Sequence, residues 1–236
     1  MTTNIELKDI DKIKLFSNIS ETTKNKMKNI AIKKILKKGN ILFSAEDNLE
    51  YIYGILAGKT AIYRINTEGQ KRVFFILGEG ELINEVIFDN LPVSADCEAF
   101  EDTIVIRFNK SEFLKLMQED FNLTMQILNS MGKKQRRLYR QLKNTLPIGM
   151  EKKLAAKLWK LAKDYGENSK NKEDEWKKIN MNISTTYIAC MLGTSRETIS
   201  RAMKQLQKVG ACRWEGRTLY VKEDILLKYY RTKESK

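Results

Sequence analysis

The chain has 236 residues, of which 42% are hydrophobic and 31% charged, and its net charge is +13; this length suits one or two domains with buried cores. It has no histidine and three widely spaced cysteines, Cys97, Cys190 and Cys212, which excludes histidine-based acid–base catalysis, Cys₂His₂ zinc sites and histidine-ligated haem, and argues against a disulfide framework or a local iron–sulfur motif. Apolar runs such as Val73–Leu77 fall far short of the roughly 20 residues of a membrane span, and residues 1–14 lack an apolar signal-peptide core, so a cytoplasmic chain with no membrane contact, metal or cofactor is expected.

Residues 5–30 carry helical periodicity through Ile10, Ile13, Phe16, Ile19, Met27 and Ile30. From about Ile30 to Phe108 the texture changes to short β-rich runs at 41–43, 51–56, 60–65, 72–77 and 103–108. Gly39, Gly58, Gly69, Gly78 and Gly80 punctuate them. Short strands with turn signals at this spacing predict a compact antiparallel barrel or sandwich. Cys97, alternating with Ala95 and Ala99, reads as a small buried thiol, and so does Cys190 at an apolar helical position.

Residues 110–147 return to helical period. Phe121, Thr124, Leu128, Met131, Gln135, Leu138, Leu142 and Thr145 follow alternating steps of three and four. Such a stripe either pairs with its own copy in a homodimer or packs on the barrel. The basic cluster at 133–143 lies mostly off the stripe, a solvated face from which one cation can turn toward a ligand. Pro147 biases Leu146 out of the helical region, and Gly149 can begin the next helix. The expected organisation is 1–109, 110–146 and 147–236. Charge follows the same division: residues 1–109 hold 15 Lys/Arg against 16 Asp/Glu, 110–147 hold 8 against 3, and 148–236 hold 20 against 11. Basicity confined to one half points to a nucleic-acid partner.

In that half, residues 150–165 are amphipathic and 166–178 read as a charged loop. Residues 184–208 then read as two helices joined by a tight turn. Ala189, Gly193 and Ile199 suit a helix-turn-helix: a small residue for close crossing, a left-handed turn and a β-branched plug. At about 100° per residue, Arg196, Ser200, Glu197 and Arg201 span roughly 0° to 140° on the second helix. Ile199, Ala202, Met203 and Leu206 span about 240° to 340° on the same wheel. One face is packed, and the other carries two guanidinium forks, a carboxylate and a hydroxyl suited to base edges in a major groove. Residues 212–221 form two short strands about Glu215-Gly216, a wing.

This order, and above all the run Gly193–Arg201, resembles the Crp/Fnr superfamily of transcription regulators. The resemblance implies an α+β chain with an N-terminal antiparallel β-roll of the cyclic-nucleotide-binding, jelly-roll type, a long dimerisation helix and a C-terminal winged helix-turn-helix. It implies a homodimer, formed through residues 110–146, on palindromic double-stranded DNA with a TGA-like core. Arg196, Glu197, Ser200 and Arg201 would contact bases, and Ser195, Thr198, Lys204 and Arg217 phosphates. RNA polymerase would be a further partner of an activator. In cyclic-nucleotide binders of the family the effector segment reads roughly G-E-L…R-S-A. Here Glu85 and Ser94 match, while Asn84 stands for the glycine and Val93 for the phosphate-binding arginine. Leu138 and Tyr139 occupy the places of the hydroxyls that would meet adenine. An anionic phosphate thereby loses its charge-assisted contact. The expected effector pocket (Glu85, Ser94, Leu138, Tyr139) therefore takes a small molecule other than cyclic AMP. The alternatives are a cyclic nucleotide held through an atypical cassette, or no effector. Glu85 can instead pair with Lys134 or Arg137. The family's iron–sulfur oxygen sensing needs an N-terminal cysteine cluster that this sequence lacks. An enzyme on a roll of this type would draw its metal ligands from histidine, which is missing; a non-specific nucleoid protein is the remaining alternative.

Overall fold

The computed structural model describes residues 5–84, 88–143, 148–168 and 175–231. It divides into two compact units, one formed by residues 1–69 with 73–139 and the other by 70–72 with 140–236.

The first unit opens with α1 (Leu7–Asp11), a single 3₁₀ turn (Lys14–Phe16) and α2 (Glu21–Ile30), whose N-cap Ser20 accepts from the Thr23 amide. Seven strands follow: β1 (Ala31–Leu36), β2 (Ile41–Phe43), β3 (Tyr51–Ala57), β4 (Thr60–Ile65), β5 (Lys71–Leu77), β6 (Asp96–Ala99) and β7 (Thr103–Asn109). They form two sheets, ordered β1-β7-β3 and β2-β6-β4-β5. The compact antiparallel β-structure expected from the glycine-punctuated runs is therefore present, as the roll that the family resemblance implies. β1, directly abutting α2, is absent from the runs picked out by composition, because its paired lysines mask its alternation.

Both faces of β7 are covered. Val105 lies opposite Ile55 in the register with β3, and both are fully buried. On the other face Phe108 meets Phe16 edge-on at 5.9 Å and Phe113 at 5.6 Å. The N-terminal segment presses close to this sheet: a Cβ at Gly54 would lie 2.7 Å from Ile13 Cδ1. A glycine in the middle of a strand is thus a packing requirement.

The single helix expected over 110–146 is instead two, α3 (Lys110–Glu119) and α4 (Phe121–Lys143). Asp120 between them is extended, with φ −122°. Its carboxylate accepts from the Leu123 amide at 3.2 Å, capping α4, and from Thr23 Oγ1 at 2.7 Å and the Ser20 amide at 3.2 Å. One buried side chain therefore ends one helix, starts the next and ties both to α2. The end of the expected helix and the break expected about Pro147, residues 144–147, lie outside the described residues.

The two faces of α4 differ. Leu123 and Ile127 are buried with Ser130, while Lys134 and Arg137 are half-buried, giving a face that packs on the roll. The stripe of the sequence is mostly outside it. Phe121 is 73% exposed, Leu128 52%, Leu138 43% and Leu142 62%.

The second unit contains α5 (Met150–Tyr165), β8 (Gly166–Asn168), β9 (Lys177–Ile179), α6 (Thr185–Leu192), α7 (Arg196–Lys208), β10 (Cys212–Glu215), β11 (Thr218–Val221) and α8 (Glu223–Arg231). Gly149 precedes α5 as its N-cap. The stretch read as a charged loop is corrected: it supplies β8 and β9, and the sheet order is β10-β11-β9-β8. Lys177 and Lys178 pair with Val221 and Tyr220, so the wing's own strand dictates an extension that these charged residues do not announce. The core is made by Leu154, Leu158, Leu161, Ile188, Ile199, Leu206, Leu219 and Leu226, all buried.

Candidate nucleic-acid interface and effector pocket

The helix-turn-helix is built by local rules. Ser184 caps α6 by accepting from the Tyr187 amide at 3.1 Å. α6 ends on Gly193 at φ 64°, ψ 52°, and the amides of Gly193 and Thr194 both return to the Ala189 carbonyl, at 2.8 and 3.2 Å. Such a left-handed stop favours glycine. Ser195 then caps α7, accepting from the Thr198 amide at 3.2 Å with its hydroxyl 3.0 Å from Thr198 Oγ1. Ile199, Ala202, Met203 and Leu206 are at most 4% exposed, and Ala189 is buried beneath them.

The opposite face of α7 is open: Arg196, Glu197, Ser200, Arg201 and Lys204 are all exposed, as is Ser195, with Thr198 half-buried by its capping role. The Glu197 carboxyl is held below its ordinary range by its own backbone N–H and by the Ser195 hydroxyl, with the charges of Arg196 and Arg201 adding to the effect. It is an acceptor at neutral pH, the state required to receive a base amino group.

Across from the start of α7 lies the wing. Glu215 pairs with Thr218 around the two-residue turn Gly216-Arg217, with Gly216 at φ 58°. Arg217 is exposed at its tip. Between wing, α6 and α7 is an open groove of about 510 Å³, lined among others by Ser184, Thr185, Thr186, Arg196, Trp214 and Arg217. Arg196 and Arg217, far apart in sequence, thus share one groove. Thr185, Thr186 and Trp214 are additions to the sequence-derived set. A tryptophan in a strand reads as core, so no spacing signal marked it.

Among the described residues, those expected at the effector pocket are exposed. Ser94 is exposed, Leu138 is 43% and Tyr139 61% exposed on α4, and Glu85 lies outside the described residues. The two departures from the family pattern are packed instead. Val93 is 6% exposed in the roll core. Asn84 is 2% exposed, with Oδ1 accepting from the Tyr53 amide at 2.9 Å and Nδ2 donating to the Tyr51 carbonyl at 2.8 Å. Its side-chain amide thereby continues the hydrogen bonding along β3. From α4, Lys134 Nζ reaches the Leu82 carbonyl at 2.8 Å and the Ile83 carbonyl at 3.3 Å, and the Arg137 guanidinium lies 4.9 Å over the Phe75 ring.

Burial pushes the thiols of Cys97 and Cys212 up to about 12, so neither forms a thiolate at neutral pH. Cys190, expected to be buried with them, is only half-buried. No group of residues suited to hold a metal ion occurs among the described residues, and no described helix is long and apolar enough to cross a membrane.

Comparison with known proteins matches residues 33–120 to the cyclic nucleotide-binding domain and residues 152–227 to the Crp-like helix-turn-helix domain. The chain is 25% identical over 204 residues to the cyclic AMP receptor protein of Thermus thermophilus, covering 83% of this chain and 86% of that one. It is 21% identical over 187 residues to the CRP-like cAMP-activated global transcriptional regulator of Mycobacterium tuberculosis, covering 79% and 82%. Its fold is similar to that of a CooA variant from Carboxydothermus hydrogenoformans, with a TM-score of 0.74 at 19% identity over 98% of each chain.

Proposed function

Because the chain belongs to the Crp/Fnr superfamily of transcription regulators, we propose that it acts as a homodimer on a two-fold symmetric DNA site and answers to a small molecule other than cyclic AMP. The observation that carries this reading is the exposed face of α7, where Glu197, Ser200 and Arg201 project beside a fully packed face anchored by Ile199. Arg201 reads a guanine through its fork, and Glu197 accepts from the paired cytosine. Arg196 reads a neighbouring base from the edge nearest the wing. Ser195, Thr198, Lys204 and Arg217 hold phosphates, which sets register and supplies the salt-dependent part of the affinity. The role is binding; no reaction is assigned to any residue.

The dimer reading is supported by α4, whose Phe121, Leu128, Leu138 and Leu142 leave an apolar stripe uncovered on the face away from the roll. Pairing two copies along it suits recognition helices about 34 Å apart, one turn of DNA. Footprinting of the full-length chain tests both elements. The expected result is protection of a palindrome with half-sites one turn apart, lost in Leu128→Glu, which also sediments as a monomer. Uniform protection of any duplex at physiological salt would overturn the reading in favour of a non-specific DNA coat.

For the effector, the relatives named for cyclic AMP favour a cyclic nucleotide, whereas the side chains of this roll do not. Val93 supplies no charge where the family's arginine grips phosphate, and Asn84 is engaged with β3. Calorimetry with cyclic AMP is expected to show no saturable heat; saturable binding would restore the cyclic-nucleotide reading.

A further inference from the structure

The groove beside the wing holds one large apolar side chain that the assignments above leave without a role. Successive residues of β10 face opposite sides of its sheet. Arg213 and Tyr220 are register partners on one side, Trp214 and Leu219 on the other. Leu219 is fully buried, whereas Trp214 is half-buried and lines the groove with Arg196 and Arg217. The other two tryptophans of the chain each have one of its cations over the ring. The Arg213 guanidinium lies 4.3 Å over Trp176, and Lys163 Nζ 5.9 Å over Trp159. The described residues lining the groove include two arginines and no carboxylate. Glu215, next to the wing turn, is drawn instead to Arg213 Nε at 2.9 Å. The groove thus combines a cationic rim, the hydroxyls of Thr185 and Thr186, and an apolar wall of Trp214 and the buried Ile183.

Such a lining suits a ligand that alternates charge with apolar surface. A small anion would use the rim and leave the indole idle. A sugar-phosphate strand offers phosphates to the rim and deoxyribose carbons to the indole. Building on the reading of α7 as the recognition helix, we propose that Trp214 is a further DNA-contacting residue. Its indole packs against the deoxyribose of the backbone strand that borders the major groove on the wing side, while Arg217 holds the phosphate beside it. A helix laid in a major groove has a sugar-phosphate strand along each side. The wing stands across from the start of α7, so one of these strands passes between them and fills the groove. The contact is apolar and independent of sequence. It releases no counterion, unlike that of Arg217, and so supplies affinity that salt does not screen. It also seats the wing on the strand, and with it the register in which Arg196 meets its base.

Fluorine NMR on the full-length chain labelled with 5-fluorotryptophan tests this with the footprinted palindrome and a scrambled duplex. One resonance is expected for each of the three tryptophans, that of Trp214 being assigned by its loss in Trp214→Phe. Either duplex should shift the Trp214 signal furthest. In affinity titrations over a range of salt, Trp214→Ala is expected to weaken both duplexes about tenfold, the order expected for one partly buried apolar side chain. The slope of log affinity against log salt should stay unchanged, whereas Arg217→Ala lowers it by about one. Trp214→Phe, which keeps an apolar ring, retains most of the affinity. Circular-dichroism melting checks that Trp214→Ala folds; should it not, the wild-type resonances decide. A Trp214 signal unmoved by saturating duplex, a loss confined to the palindrome, or a changed salt slope in Trp214→Ala would overturn the proposal. If the palindrome is then still protected and told apart from the scrambled duplex, the reading of α7 stands and only the Trp214 contact fails. If neither duplex is bound, both fail.

Discussion

The recognition helix and the effector roll sit on one chain but keep their family resemblance in different ways. On α7, the positions that would meet DNA are open to solvent and carry the residue types such contact requires. In the roll, the two residues that depart from the family pattern, Val93 where the resemblance puts an arginine and Asn84 where it puts a glycine, are buried, at 6% and 2% exposed. An interface for a fixed polymer such as DNA constrains side-chain chemistry directly. A pocket keeps its architecture when its ligand changes, because strand pairing and apolar packing do not depend on what fills it.

The largest effects separating the two regions come from their cores. Ile199→Ala removes the plug between α6 and α7 and should cost about 2–5 kcal/mol, read by chemical denaturation of the second unit, with DNA binding lost. Next is Asp120→Asn in the first unit, expected to cost about 1–3 kcal/mol because three donors lose a carboxylate acceptor. Burial alone would raise the Asp120 carboxyl, but hydrogen bonds from Thr23, Leu123 and Ser20 prevail and hold it below the ordinary 3.8. A depressed folded-state value stabilises above the unfolded value, and that stability is lost as pH falls through the folded value. Wild-type melting temperature should therefore drop more steeply below about pH 4 than that of Asp120→Asn; parallel profiles would remove Asp120 from the account.

Smaller effects test the division of labour on α7. Arg201→Ala should cost about 1–3 kcal/mol on the specific site. Lys204→Ala should weaken all duplexes alike and lower the salt slope by about one, measured by titrating affinity against salt concentration.

Much of this contrast was legible in the amino-acid order. The runs at 41–43 and 60–65 coincide with β2 and β4, because alternating β-branched and aromatic residues between glycines suit few other conformations. The helix-turn-helix was equally plain, since Ala189, Gly193 and Ile199 mark it within a span of eleven residues, and the Ser184 and Ser195 caps that the structure adds are just as local. What remained hidden depended on distant partners. The break at Asp120 is fixed by Ser20 and Thr23, about a hundred residues away in the chain. β9 exists through its pairing with β11. Asn84 could be seen to replace a glycine, but only the structure shows its amide joined to Tyr51 and Tyr53. Lys134 was named with Arg137 as a partner for Glu85, but its hold on the Leu82 and Ile83 carbonyls depends on the distant roll and is seen only in the structure.

The central claim is that the exposed face of α7 reads sequence rather than merely attracting DNA. Its most direct test is the affinity of Arg201→Ala and of wild type for the footprinted site and for a scrambled duplex of equal composition, at one salt concentration. The account predicts a loss of tenfold or more on the specific site with scrambled binding unchanged. Equal losses on both duplexes would contradict it.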